Sequence, residues 1–179
     1  MPAQAHQISL TIPVLVTDRL RLRGPKDSDA APLATFLASD RAKWIGGPYP
    51  AEDAADWLAH QTAIWAKRGW GSWIAALRDD DTPIGRIGLL DHEGWDEPEL
   101  AWFLFEGFDG KGYAYEAATA ARAHANGPLD LPPLFSFIEP TNARSKALVL
   151  RMGAQLERSV RFKDHDLGIY RHPGAEARA

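Results

Sequence analysis

Phe105-Glu-Gly-Phe-Asp-Gly-Lys-Gly-Tyr-Ala-Tyr-Glu116 is the stretch that decides how this chain folds. An apolar run, Leu100 to Phe105, leads into it, and an alanine-rich helical pattern begins near Tyr113. Between them Gly110 and Gly112 flank Lys111. Strand, glycine-bearing turn and helix start in succession build an anion site. The N–H groups of the first helical turn have no partner within the helix, and the helix dipole favours negative charge there. Glycine suits the turn because a Cβ would block close approach of a phosphate or resist a positive φ. The plainer alternative is a simple turn. The segment points to a phosphate-bearing small molecule.

Spacing narrows the choice. A P-loop places Ser or Thr after its lysine, and here Gly112 follows Lys111. A dinucleotide fingerprint needs a third glycine where this chain has Tyr115, and a second strand ending in a carboxylate where it has Gly127-Pro128. Both nucleotide motifs fit poorly.

With 179 residues and 45% hydrophobic content, one domain with an ample core is expected. The absence of cysteine excludes disulfides, thiolate zinc sites and a cysteine nucleophile. Net charge is −4, from 20 basic and 24 acidic residues without a basic block, so a nucleic-acid partner is not expected. No apolar run approaches the length of about 18 residues that spans a membrane. Met1 to Leu10 lacks the regions of a signal peptide, and a cytoplasmic protein is expected. His124, His165 and His172 lack metal-ligand spacing, and no metal is expected.

Residues 1–14 read as an irregular arm, 15–172 as one domain and 173–179 as a short tail. Arg19–Arg23 alternates like a half-buried strand. Asp27 or Ser28 can cap a helix reaching about Ser39, and a second helix runs from about Glu52 to Lys67, stopped by Gly69. Ser72–Leu77 and Pro83–Leu90 are strand-like runs joined by the turn Asp79-Asp80-Asp81. Leu100–Phe105 is apolar throughout, as a strand covered on both faces would be. A helix from Tyr113 to about Ala125, a strand Leu134–Ile138, a helix Asn142–Met152 and a hairpin from Gln155–Phe162 and Leu167–Arg171 complete the order βααβββαβαββ. The fold class is α+β.

That order, with Asp109-Gly-Lys-Gly-Tyr-Ala114 after the central strand and Asn142-Ala-Arg-Ser145 opening the next helix, resembles the GNAT superfamily of acyl-CoA-dependent N-acyltransferases. Within it the chain looks most like the RimJ/RimL branch, which acetylates N-terminal α-amines. Thr17-Asp-Arg-Leu-Arg-Leu-Arg23, Pro83-Ile-Gly-Arg-Ile-Gly88 and Leu150-x-x-Gly153 add to the likeness, which covers about residues 15–172. It implies a mixed, mostly antiparallel sheet flanked by helices, with acetyl-CoA as co-substrate. The family's pyrophosphate loop would place Gly110, Lys111, Gly112, Tyr113 and Ala114 around the diphosphate. Where Gln or Arg is usual, this chain has Asp109, expected to point to solvent or cap the helix. Pantetheine would lie beside the central strand, pairing with backbone at Trp102, Phe103 and Leu104, one N–H of which polarises the thioester carbonyl. Asn142 would bond the pantetheine arm or neighbouring backbone, with simple helix capping as its rival role. Many members of the family place a tyrosine in that helix as the acid that protonates the thiolate; none stands here, and the resemblance leaves Ser145 as the candidate, as in the RimL-like branch. Packing alone is its alternative.

Acyl transfer needs a neutral amine. An α-amine has a pKa of roughly 8, and freeing it near pH 7 costs about 1 kcal/mol, against about 4 for a lysine. One carboxylate base therefore suffices. Glu99, at the start of the central strand, is the first candidate, and Asp91 and His92 come second. Trp44, Tyr49, Trp57 and Trp65 are expected in the acceptor pocket. Three functions follow. The first is an N-acetyltransferase acting on a primary amine such as a peptide N-terminus. The second is an enzyme of the same fold acting on an aminoglycoside, polyamine or amino acid, which Glu52, Asp53, Asp56, Asp91 and Glu93 would attract if it is cationic. The third is a non-catalytic acyl-CoA-binding module. Exposed aromatic surface is compatible with a homodimer.

Overall fold

Alternation at Leu20, Leu22 and their neighbours becomes a strand because both leucines are fully buried beneath a helix. The computed structural model describes residues 11–174, so most of the expected N-terminal arm and the end of the tail lie outside the described residues. The elements are β1 (Leu15–Val16), β2 (Leu20–Arg23), α1 (Ala30–Leu37), α2 (Ala54–Arg68), β3 (Ser72–Leu77), β4 (Pro83–Leu90), β5 (Glu99–Leu104), α3 (Tyr113–Asn126), β6 (Phe135–Ile138), α4 (Ala143–Arg151), β7 (Gln155–Phe162) and β8 (His165–Arg171). Only the two-residue β1 is added to the expected order. Among the described residues, no helix is long and apolar enough to cross a membrane.

The eight strands form one sheet in the order β1-β2-β3-β4-β5-β6-β8-β7. Every pairing is antiparallel except β5 with β6. On one face Leu22, Trp73, Ile87, Leu89 and Leu100 pack against α3. That helix presents Ala117, Ala118, Ala121 and Ala125, all fully buried, and such small side chains let its backbone lie close to the sheet. On the other face Ile74 and Phe103 meet Leu33, Phe36 and Leu37 of α1 and Leu58 of α2. Phe36 stacks on Phe103 with centroids 4.2 Å apart.

The start of the first helix differs from expectation. A 3₁₀ turn, Asp27–Asp29, precedes α1, and Asp29 rather than Asp27 or Ser28 accepts the Lys26 N–H, at 2.7 Å. Asp29 is drawn inward because its carboxylate also holds Arg23. Ser39 does not continue α1; it caps the 3₁₀ turn Asp40–Ile45.

One buried network pins β6 to the start of β5. Ser136 Oγ donates to Leu100 O (2.5 Å) and lies 2.9 Å from His172 Nε2. Burial, with the charges of Arg122 and Arg171, pushes His172 down to about 3, so its imidazole is neutral at physiological pH. Only Glu99 and Phe135 are in parallel register between β5 and β6. Beyond that pair the two strands part.

Candidate functional site

The parting of β5 and β6 leaves backbone groups of β5 without a neighbouring strand. Phe105 N–H bonds Ile84 O on the β4 side (2.8 Å), whereas Leu104 O turns the other way, to Arg41 (3.2 Å). By strand alternation the main chain of Trp102 faces the opening as well. Phe103 does not: its carbonyl lies against Gly85 on β4, where an added Cβ would come within 2.1 Å. Of the expected trio, Trp102 and Leu104 thus present backbone to the opening, and Phe103 presents its ring. A cavity of about 1290 Å³ runs through this opening and is lined from both faces of the sheet.

At one end of the cavity lies the glycine turn. Gly110 and Gly112 have φ of +74° and +80°, values that disfavour any side chain. Gly112 is the N-cap of α3, with no side chain capping it. Glu116 N–H is the first helical donor, onto Gly112 O (3.1 Å), so the donors of Tyr113, Ala114 and Tyr115 are not spent within the helix. The turn is braced from the link between β1 and β2: Arg19 donates to Lys111 O (2.8 Å) and to Glu116 (2.7 Å), and Thr17 donates to Glu116 (2.6 Å). Partial burial opposes ionisation of Glu116, yet these bonds hold its carboxyl below the usual range. On the expectation that this turn holds the diphosphate of acetyl-CoA, replacing Gly112 by Val should weaken coenzyme binding about tenfold, from a strain of about 1–3 kcal/mol. Titration calorimetry should register this, with kcat at saturating acetyl-CoA little changed.

Asp109 neither points to solvent nor caps α3. Arg41 donates to it at 2.6 Å, and Arg144 of α4 lies at 3.6 Å. Two guanidinium groups offset the charge that would otherwise repel an anion at the glycine turn.

On the face toward α1 and α2, the first and second candidate bases are one unit. Glu99 Oε2 lies 2.5 Å from His92 Nε2, and Glu99 Oε1 accepts Phe137 N–H at 3.0 Å. The carboxylate stands where the β5–β6 ladder fails, and the imidazole packs on Phe137 and Phe162. Asp91 is committed elsewhere: Arg68 grips both its oxygens at 2.9 Å, with Lys67 at 3.5 Å. Hydrogen bonding from Arg68 holds its carboxyl below the usual range.

Asn142 caps α4, its Oδ1 accepting Ser145 N–H at 3.1 Å. Both residues line the cavity, as do Trp44, Tyr49 and Trp57. Trp65 is not a pocket residue. It is 2% exposed, meets Trp73 edge-on and donates to Ser72 O at 2.9 Å. Sequence reasoning passed over Arg41, Gln61 and Arg86, which also line the cavity. A signal for Arg86 was present: a charged residue centred in an otherwise apolar strand, Pro83–Leu90. Among the described residues, no cluster of three or more His, Asp or Glu could hold a metal.

A family model described as an acetyltransferase (GNAT) domain matches residues 19–155. The crystal structure of an acetyltransferase from Agrobacterium tumefaciens is similar at 36% identity and a TM-score of 0.83, covering 94% of this chain and 99% of that one. An N-acetyltransferase of Bacillus subtilis, YnaD, is 30% identical over 145 residues, 80% of this chain and 83% of its own. RimL, a ribosomal α-N-protein acetyltransferase solved with coenzyme A, shares the fold at 17% identity and a TM-score of 0.72, over 90% of this chain and 98% of that one.

Proposed function

Since this chain belongs to the acetyltransferase (GNAT) domain family and is an acetyl-CoA-dependent N-acetyltransferase, we propose that its acceptor is a primary α-amine attacked directly in a ternary complex. The observation that carries this reading is the His92–Glu99 contact, set where the sheet opens and facing away from the glycine turn's helix. An α-amine needs only a modest base, and this dyad supplies one.

In this reading the donors at residues 111–114 hold the diphosphate, and pantetheine runs along β5 as an added strand. An N–H of Trp102 or Leu104 stabilises the oxyanion as the amine nitrogen bonds to the thioester carbon. The dyad takes the amine proton, the C–S bond breaks, and Ser145 protonates the departing thiolate. With no cysteine in the chain, an acyl-cysteine intermediate is excluded. RimL, named as an α-N-protein acetyltransferase, supports an α-amine acceptor by analogy of fold only. A polycationic acceptor has less support, because Asp91 is neutralised by Arg68 and the pocket holds the cation of Arg86. Soluble acetyl-CoA and amines imply a cytoplasmic setting.

Thiol release should require acetyl-CoA and an α-amine together. Failure of every α-amine, with coenzyme bound, would overturn the reading. Ser145→Ala should lower kcat only about tenfold, below the usual range for acid–base groups, because a thiol of pKa about 8.5 leaves readily near neutral pH. Steady-state kinetics checks this.

A further inference from the structure

Arg86 sits in the middle of β4, paired with Phe103 on β5, and is only 7% exposed. Its guanidinium lies 4.8 Å from the Phe103 ring centroid and 5.4 Å from that of Trp57. Among the described residues, no carboxylate forms an ion pair with it and no hydrogen bond reaches its side chain. The contrast with Arg23 is plain, since that buried guanidinium is gripped by Asp29 and Asp81. Burial lowers Arg86 to about 10, which still leaves it a cation at neutral pH. Its partners are two ring faces and the more distant charge of Glu99, and a desolvated guanidinium with none of its N–H groups hydrogen-bonded is costly, so folds seldom keep one without use for it.

Two further buried groups lack partners beside the same cavity. Gln61 is 2% exposed with neither amide atom bonded, and Ser72 Oγ, also 2% exposed, has none either. Both line the cavity with Arg86. Their placement follows from α2: Trp57 covers Arg86 and Trp65 bonds Ser72 O, so Gln61, one turn from each, lies between. Native interiors hold few such orphan groups, and each calls for an explanation.

The geometry points to a recognition site for a carboxylate carried by the acceptor amine. Arg86 offers the paired N–H donors that match a carboxylate, and Gln61 and Ser72 add further donors. Trp57 and Phe103 wall the guanidinium from water. The amine itself lies toward Glu99 and His92, and this placement rests on the acetyl-transfer reading above. Between the Arg86–Phe103 and Leu90–Glu99 pairs stands Gly88 with Ala101, a row carrying at most a methyl group, which leaves room for the acceptor. Amines with a nearby carboxylate, either free amino acids or peptides with an acidic first residue, are therefore favoured over neutral amines and polycations.

The test compares free amino acids, their amides, acidic-first and neutral-first peptides, and polyamines in a thiol-release assay. Carboxylate-bearing acceptors should exceed their amides roughly 10- to 100-fold in kcat/KM, the range of a charged hydrogen bond. Arg86→Met should abolish that preference, chiefly through KM, and Arg86→Lys should restore part of it. Free amino acids outperforming acidic-first peptides identifies the small acceptor, and the reverse identifies the peptide. An acid-to-amide ratio near one, or a ratio untouched in a folded Arg86→Met, overturns the proposal. Calorimetric titration of the same compounds into the CoA complex reads the site without turnover. A retained ratio there, with no acetylation, would fault the α-amine reading and leave the carboxylate site standing.

Discussion

Glu99→Gln is expected to lower kcat about 100- to 1000-fold, with KM for acetyl-CoA changed less than about twofold. The amide keeps the shape of the side chain, and its oxygen can still accept the Phe137 N–H that Glu99 Oε1 receives. It cannot take a proton. His92→Gln should lose a similar factor, because Glu99 and His92 contact each other at 2.5 Å and, in the proposed mechanism, act on one proton. The double variant should then be little worse than either single one, since residues acting as a unit are not additive. Steady-state kinetics on variants whose melting stays within a few degrees of the parent decides the matter. A kcat within about threefold of the parent for Glu99→Gln would remove the dyad from the chemistry.

Asp29→Ala should destabilise the protein by about 3–5 kcal/mol. Asp29 is wholly buried and receives both terminal nitrogens of Arg23, at 2.8 and 2.9 Å, as well as the Lys26 N–H. Removing it strands a guanidinium that is only 5% exposed. Asp81 remains on Arg23 Nε, at 2.9 Å, which favours the lower end of the range. For a chain of this size the loss corresponds to a fall in Tm of roughly 10 °C. Replacing both partners, Arg23→Met with Asp29→Leu, should melt above Asp29→Ala, because an apolar pair leaves no orphan charge. A melt of Asp29→Ala within about 2 °C of the parent would show the pair to be dispensable. The cluster also carries a pH signature. Burial works against ionisation of Asp81, but hydrogen bonds from Lys26 and Arg23 hold its carboxyl below the usual carboxylate value. Its contribution is therefore complete above that value and lost as pH falls through the lowered folded value.

Local signals made most elements legible. β3 and β4 fall at the expected residues because glycine bounds one end and an aspartate turn joins them. The glycines of the loop were readable because a positive φ and a helix start leave a composition trace. The long-range pairings were not readable. Glu116 meets Thr17 and Arg19 across 99 and 97 positions, and Arg41 meets Asp109 across 68. No periodicity within one segment encodes such a match. Asp91 and Glu99 looked alike as strand-end carboxylates. They part only when Arg68, on α2, closes on one and His92 on the other. Trp65 and Trp57 share a helical face, yet one is buried against Trp73 and the other covers Arg86. A helical pattern gives the face and not its neighbours.

The division of the sheet into two faces has an evolutionary consequence. Trp57, Gln61 and Arg86 belong to one flank, whereas Gly112 and Asn142 open helices of the glycine turn and of α4. Substitutions that share no partners combine almost independently. On the proposed assignment of these two flanks, mutation can retool the choice of amine while inheritance of the acyl donor's grip goes undisturbed, and descendants of one ancestral chain can diverge in diet by drift along a single flank.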